Sequence, residues 1–171
     1  LSSGSGCRYA VPMRFAIIGA GMAGILSAIK LKEAGLTDFV IYEKAESLGG
    51  TWRENTYPGI ACDVPSHLYS YSFAPNADWS HYFSPGAEIR DYFERVAREH
   101  DLGASIRFGE EVTRATCADG KWRFETARGR RDEADVVHLP ARGGPAAGSG
   151  IPGEEAPADA SAAVRVHREE S

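Results

Sequence analysis

The sequence predicts an α/β domain that combines a parallel β-sheet with a small antiparallel β excursion. An apolar, strand-sized segment at residues 14–18 is followed by a helical apolar pattern at 22–34 and a second apolar segment at 38–43. Strand, helix and strand in this order form a β-α-β unit, whose right-handed crossover makes its two strands parallel. Gly35 directly follows the helical pattern and supplies the left-handed stop that ends many helices.

The antiparallel excursion is indicated by two alternating segments, residues 111–117 and 121–126, which flank an Asp119-Gly120 pair. An Asp-Gly pair in this position is a strong hairpin signal. Further short strands are expected at residues 106–108 and 135–139, the last of them buried. These segments complete an α/β domain without an internal repeat.

A strongly amphipathic helix is predicted between the two parts, with Ser84 as its N-cap and Pro85 at the first helical position. The pattern extends to Gly103, where glycine ends it. Apolar or partly apolar side chains recur along it at helical spacing: Ile89, Tyr92, Phe93, Val96, Ala97 and His100.

The composition is typical of a soluble globular protein, because 43% of the 171 residues are hydrophobic and 25% are charged. A formal net charge of −5 argues against a nucleic-acid partner. No stretch is long and apolar enough to cross a membrane, so no membrane partner is expected. Cys7, Cys62 and Cys117 are widely spaced, as in a reducing compartment, and we therefore expect a cytoplasmic protein.

A chain of this length is expected to form one domain. Residues 1–12 are interpreted as a leader or cloning remnant, 13–140 as the folded domain, and 141–171 as an Ala-, Gly- and Pro-rich tail. The tail contains no aromatic residue and few large aliphatic ones. It therefore cannot bury enough apolar surface to offset the entropy that ordering would cost.

The segment from Gly19 to Gly24 fits the G-x-G-x-x-G pattern of a phosphate-binding loop, between a predicted strand and a predicted helix. Gly19 permits a sharp turn, Gly21 leaves room for a pyrophosphate, and Gly24 allows helix and strand to pack closely. The helix N-terminus adds N–H groups and partial positive charge. The alternative is a tight turn whose glycines serve packing alone.

Glu43 ends the second predicted strand and is placed to accept hydrogen bonds from the ribose hydroxyls of an adenosine. An acidic residue at this position disfavours a 2′-phosphate. The loop is therefore expected to hold FAD or NAD rather than NADP, within a Rossmann-like domain.

A second glycine pair, Gly49-Gly50, begins a longer motif that continues through Trp52, Asn55, the Tyr57-Pro58-Gly59 turn and Asp63. The motif resembles the N-terminal FAD-binding domain of flavin-dependent Baeyer–Villiger monooxygenases, and the resemblance covers residues 13–139. It implies that FAD is bound by Gly19, Gly21, Gly24, Glu43, Lys44, Gly50, Thr51 and Trp52. It also implies that Asp63 and Tyr69 lie near the flavin and the nicotinamide, and that Val112 lies where the chain passes the adenine.

Asp63 is the candidate catalytic residue, because with neutral histidine it is the only charged side chain between Glu54 and Asp78. In the enzymes that the chain resembles, this aspartate helps to position the reduced nicotinamide. Its alternative role is to form an Asx-turn or cap in a loop. The aromatic walls and polar groups that an isoalloxazine ring needs are available from Thr51, Trp52, Tyr57 and Tyr69.

The resemblance implies the FAD-binding portion of a flavin- and NADPH-dependent monooxygenase, which oxidises a ketone or a soft heteroatom. The second nucleotide-binding motif of that family does not follow residues 151–153, so the chain is expected to be inactive without a partner chain or a C-terminal domain. A locally altered reading frame at residues 138–150 is a further hypothesis.

Two alternative functions remain open at this point. One is a non-catalytic module that binds FAD or another nucleotide, and the other is a fragment of an NAD-dependent dehydrogenase, which the second glycine pair disfavours. The 5 histidines lack the spacing of metal ligands, so no metal site is expected.

Overall fold

The β-α-β unit predicted at the start of the domain is present. In the computed structural model, which describes residues 13–140, strand β1 (Phe15–Ile18) leads into helix α1 (Met22–Glu33), and strand β2 (Phe39–Tyr42) follows. β1 and β2 pair in parallel. Gly35 has the expected positive φ of 77° just after the helix. The predictions for residues 1–12 and 141–171 lie outside the described residues.

The central layer is a parallel sheet. Strand β3 (Ile106–Arg107) pairs with β2, and strand β7 (Val136–His138) pairs with β1. The order of the strands is therefore β3-β2-β1-β7. Every residue of β2 is buried, as expected for a parallel strand covered on both faces. The prediction of a buried last strand is wrong, because β7 is only half-buried and, within the described chain, pairs with β1 alone in this sheet.

Helix α3 (Gly86–Glu99) packs with α1 against one face of the parallel sheet. The apolar residues predicted for its inner face are buried up to Ala97, whereas His100 follows the last helical residue. The prediction of Ser84 as the N-cap residue is wrong, because Pro85 occupies that position. Within the described chain, the N-cap side chain makes no capping hydrogen bond to the helix. Ser84 is instead buried, and its N–H donates to the Ser66 hydroxyl at 2.7 Å.

The antiparallel sheet consists of β4 (Val112–Ala118), β5 (Lys121–Thr126) and β6 (Arg131–Ala134) in that order. The hairpin prediction is confirmed, because Asp119 and Gly120 both have positive φ, at 54° and 72°. β6 was not predicted, since its polar sequence shows no apolar alternation. It pairs with β5 through the backbone from Arg131 to Ala134.

The antiparallel sheet covers the second face of the parallel sheet. Ala16, Val40 and Tyr42 form a small core with Phe124 and Ala134 from the antiparallel strands. The ring of Tyr42 meets that of Phe124 edge-on at 5.4 Å.

The remaining elements are a short helix α2 (Thr51–Glu54) and two 3₁₀ turns, Ser66–Leu68 and Gly103–Ser105. None of the helices in residues 13–140 is long and apolar enough to cross a membrane.

Candidate functional site

The three glycines of the first loop differ in what each requires of the backbone. Gly19 has a φ of 107°, a conformation that side chains rarely adopt, at the sharp turn off β1. A Cβ on Gly24 would lie 1.9 Å from the carbonyl oxygen of Gly19, so the third glycine does permit close packing. Gly21 has a φ of −83°, which any residue adopts, and its Cβ would meet nothing closer than 3.6 Å. Folding therefore does not explain why the second position is glycine.

The N-terminus of α1 is suited to an anion. Gly21 is its N-cap residue, and among residues 13–140 no side chain caps it and no acidic residue occupies its first turn. Such a helix end presents N–H groups and partial positive charge to a phosphate. The first turn is anchored by Tyr71, a buried residue whose hydroxyl donates to the carbonyl oxygen of Met22 at 2.5 Å. This role of Tyr71 was not predicted, because an aromatic residue in a loop carries no distinguishing sequence signal.

Glu43 lies directly beside the glycine loop. It is 3% exposed, and its Oε2 accepts a hydrogen bond from the N–H of Ala20 at 2.8 Å. Its Oε1 accepts from the N–H of Ala45 at 3.0 Å and from Arg53 at 3.1 Å. The carboxylate expected to recognise a ribose is thus held in place against the first glycine loop.

The second glycine segment contacts the first. The N–H of Gly49 donates to the carbonyl oxygen of Ala20 at 3.2 Å. A Cβ on Gly50 would lie 3.1 Å from the Cα of Gly21, and Gly50 itself has a φ of 50°. The two loops form a cradle with glycine on both sides, at the N-terminus of α1. A pyrophosphate needs such close access to backbone N–H groups, so these residues fit a dinucleotide.

A charged cluster surrounds Glu43. Arg53 bridges Glu43 and Glu54, and Lys44 bonds to Glu54 at 3.0 Å. The hydrogen bond from Lys44 is the main cause that lowers the pKa of the Glu54 carboxyl, and Arg53 adds to it. Lys44 therefore lies within the cluster. Arg53 was not predicted as a site residue, although it is the only basic residue between Gly49 and Gly59.

The aromatic part of the predicted site is joined to α2. The indole Nε1 of Trp52 donates to the Tyr69 hydroxyl at 3.1 Å, and the two rings meet edge-on at 5.4 Å. Burial is the main cause that raises the pKa of the Tyr69 hydroxyl, whereas the hydrogen bond from Trp52 lowers it and the charge of Asp63 makes a smaller raising contribution. Trp52 and Tyr69 thus form one connected part of the predicted site.

Asp63 is exposed, and no hydrogen bond or ion pair of its side chain is found within the described chain. The structure thus gives no support to its alternative role in a turn or cap. Val112 is half-buried at the start of β4 and packs against the small core between the two sheets. It follows Glu110 by two residues, and the N–H of Glu110 donates to the carbonyl oxygen of Glu43 at 2.9 Å. Across residues 13–140 no cluster of His, Cys, Asp and Glu could hold a metal ion.

Residues 17–96 match the family described as an NAD(P)-binding Rossmann-like domain. A Baeyer–Villiger monooxygenase of Streptomyces coelicolor is 47% identical over 127 residues, which cover 73% of this chain and 24% of that protein. This chain is a Rossmann-like domain homologous to part of the Baeyer–Villiger monooxygenases. The fold prediction and the resemblance are therefore confirmed.

Other relatives of this domain are also monooxygenases. The FAD-binding monooxygenase tazF of Aspergillus terreus is 40% identical over 133 residues, covering 73% of this chain and 24% of that protein. The solved structure of an oxidized steroid monooxygenase bound to NADP matches with a TM-score of 0.71 and 36% identity, over 75% of this chain and 26% of the other. This chain thus spans about a quarter of the length of these relatives.

Proposed function

We propose that this chain is the FAD-binding portion of a flavin- and NADPH-dependent monooxygenase. The observation that carries the proposal is the contact between Gly21 and Gly50 at the α1 N-terminus, beside the buried carboxylate of Glu43. A pyrophosphate would be held by the backbone of the glycine cradle, and a ribose by Glu43. The FAD-binding relative supports the choice of FAD over a simple dinucleotide.

The remaining predicted residues would hold the two ends of the cofactor. Val112 would contact the adenine, and Lys44 would lie beside the ribose. Gly50, Thr51 and Trp52 would line the flavin, where Trp52 is already oriented by Tyr69. When bound, FAD supplies the redox chemistry: it takes electrons from NADPH and activates molecular oxygen.

Asp63 is proposed as the catalytic residue that positions the nicotinamide. It places a negative charge near the Tyr69 hydroxyl, on a surface that a second nucleotide could reach. The substrate of the complete protein would be a ketone or a compound with a soft heteroatom. Because this chain spans about a quarter of its relatives, a second domain or a partner chain would complete the enzyme, and this chain alone would not turn over.

We further infer a cytoplasmic location. Cys62 and Cys117 are both free thiols in the described part of the chain, which is typical of a reducing compartment.

Reconstitution tests the proposal. The purified protein is incubated with FAD, freed of unbound cofactor by gel filtration, and examined for flavin absorbance and for NADPH oxidation. Bound flavin without NADPH oxidation is the result expected for this chain alone. A colourless protein that takes up no FAD would refute the proposal.

A non-catalytic nucleotide-binding module is the second candidate, favoured by the match of residues 17–96 to a domain described as NAD(P)-binding. Competition separates the two functions. If NAD displaces FAD at similar concentrations, the site recognises only the shared adenosine diphosphate, and the general nucleotide-binding module describes the chain better. If FAD binds far more tightly than NAD, the flavin contributes contacts of its own.

A further inference from the structure

Arg53 is the side chain through which the two halves of the cradle are connected. It lies on α2, directly after the second glycine pair, and its side chain is only 15% exposed. Its guanidinium donates to the Glu43 carboxylate at 3.1 Å, to the carbonyl oxygen of Ser47 and to Glu54 at 3.1 Å. Since Glu43 also accepts from Ala20 in the first loop, a continuous set of hydrogen bonds runs from one glycine segment to the other.

The hydrogen bonds to Glu43 leave a definite part of its carboxylate open. An ionised carboxylate offers roughly four acceptor positions, two on each oxygen. Within the described chain, Oε1 accepts from both Ala45 and Arg53, whereas Oε2 accepts from Ala20 alone. The open acceptor position is therefore on Oε2, the oxygen that faces the first glycine loop.

We propose that Arg53 is a positioning residue that fixes Glu43 for recognition of a ribose hydroxyl. By occupying Oε1 it directs Oε2 to the nucleotide, and it prevents the carboxylate from rotating away. This inference rests on the proposed nucleotide-binding function. It adds a residue that acts only through Glu43, and it assigns the recognition of the ribose to one carboxylate oxygen.

The chemistry of the cluster explains why arginine suits this place. The guanidinium fork donates to three acceptors in fixed directions, whereas a lysine ammonium is a point charge on a flexible stem. Glu54 and Lys44 form the outer part of the cluster, with about half of each side chain exposed. The Glu54 carboxylate lies between the two cations, Arg53 and Lys44, and pairs with both from the solvent side.

The experiment measures the affinity of the full chain for ADP and for 2′,3′-dideoxy-ADP, which lacks both ribose hydroxyls, by calorimetric titration. The proteins are the wild type, Arg53→Met, Arg53→Lys and the control Arg123→Met. Arg123 pairs with Glu133 on the antiparallel sheet, at 2.9 Å and half-exposed, and does not contact the cluster. The wild type should prefer ADP by about tenfold or more, because a charged acceptor loses its hydroxyl partner with the dideoxy compound.

In Arg53→Met the preference for ADP should fall to about twofold or less, while Arg123→Met keeps the wild-type ratio. Arg53→Lys retains the positive charge, so it is expected to fold, with an intermediate ratio. A residue with a merely structural role would weaken both ligands equally, and an unchanged ratio in Arg53→Met or Arg53→Lys would overturn the inference. If the wild type binds ADP without preferring it, Glu43 does not recognise the ribose and the inference also fails. If the wild type binds neither ADP nor FAD, the proposed function itself is wrong.

Discussion

The two ends of the candidate site differ in how completely this chain builds them. At the nucleotide end Glu43 is 3% exposed and hydrogen-bonded on both oxygens, and the two glycine segments contact each other. At the other end Asp63 is exposed, and Tyr57 and Leu68 are 61% and 67% exposed. The proposed site for the adenosine diphosphate is thus preformed in these residues, whereas the segment expected near the reacting groups has few supporting contacts in the described chain.

The largest expected effect is on the fold of the nucleotide end. In Gly24→Ala the new Cβ would lie 1.9 Å from the Gly19 carbonyl oxygen, which is backbone and cannot move without displacing helix or strand. We expect destabilisation by at least about 3 kcal/mol, the upper range for overpacked sites. Thermal unfolding should show a melting temperature lower by about 10 °C or more, or no cooperative transition.

Gly103→Ala is the matched control for this prediction. Gly103 has no positive φ, and a Cβ there would meet nothing within 4 Å. Its melting temperature should stay close to that of the wild type. Similar losses for both variants would contradict the packing role assigned to Gly24.

The next largest effect is a loss of FAD affinity without a loss of stability. Gly21→Ala keeps an ordinary backbone conformation, with its Cβ 3.6 Å from Gly50, and should therefore fold like the wild type. The methyl group would occupy the space that a pyrophosphate needs, so FAD affinity should fall by about thirtyfold or more. Titration of FAD with unchanged thermal unfolding would establish this. Wild-type affinity in Gly21→Ala would show that the phosphate does not approach this glycine.

A smaller effect is expected from the charged cluster when no ligand is bound. The lowered pKa of Glu54 means that its ion pairs stabilise the fold above its ordinary pKa of 4.5 and stop doing so as the pH falls through the lowered value. Glu54→Gln should thus lower the free energy of unfolding by only about 0.3 kcal/mol at neutral pH, because the Lys44–Glu54 pair is half-exposed. Urea unfolding at about pH 7 and about pH 3 should show that this difference disappears in acid. A constant difference would mean that the cluster does not form.

The smallest effect is expected at the exposed end. Asp63→Ala should change FAD affinity by less than about twofold, since the carboxylate is exposed and has no hydrogen bond or ion pair to the cradle in the described structure. The same FAD titration measures it beside Gly21→Ala. Equal losses in the two variants would remove the distinction between the two ends.

Local chemistry made the nucleotide end predictable from the sequence. Few residues other than glycine can adopt the φ of 107° at Gly19 or fit the close approach at Gly24. The glycine motif therefore predicts the local backbone geometry. The Asp119-Gly120 turn was predictable for the same reason.

The features that were missed depend on contacts between distant segments. Strand β6 forms because its backbone pairs with β5, although its own residues are mostly charged. The predicted cap residue Ser84 is held by Ser66 instead. Arg53 and Tyr71 act on the glycine loops through hydrogen bonds across the fold, which no sequence period reveals.

We propose above that this chain binds FAD through its adenosine diphosphate part. Equilibrium dialysis of the wild-type protein against FAD and against FMN tests it most directly, because FMN carries the same flavin without the adenosine half. The account predicts that FAD binds at one molecule per chain and that FMN does not bind at comparable concentrations. Equal binding of FMN, or no binding of FAD, would contradict it.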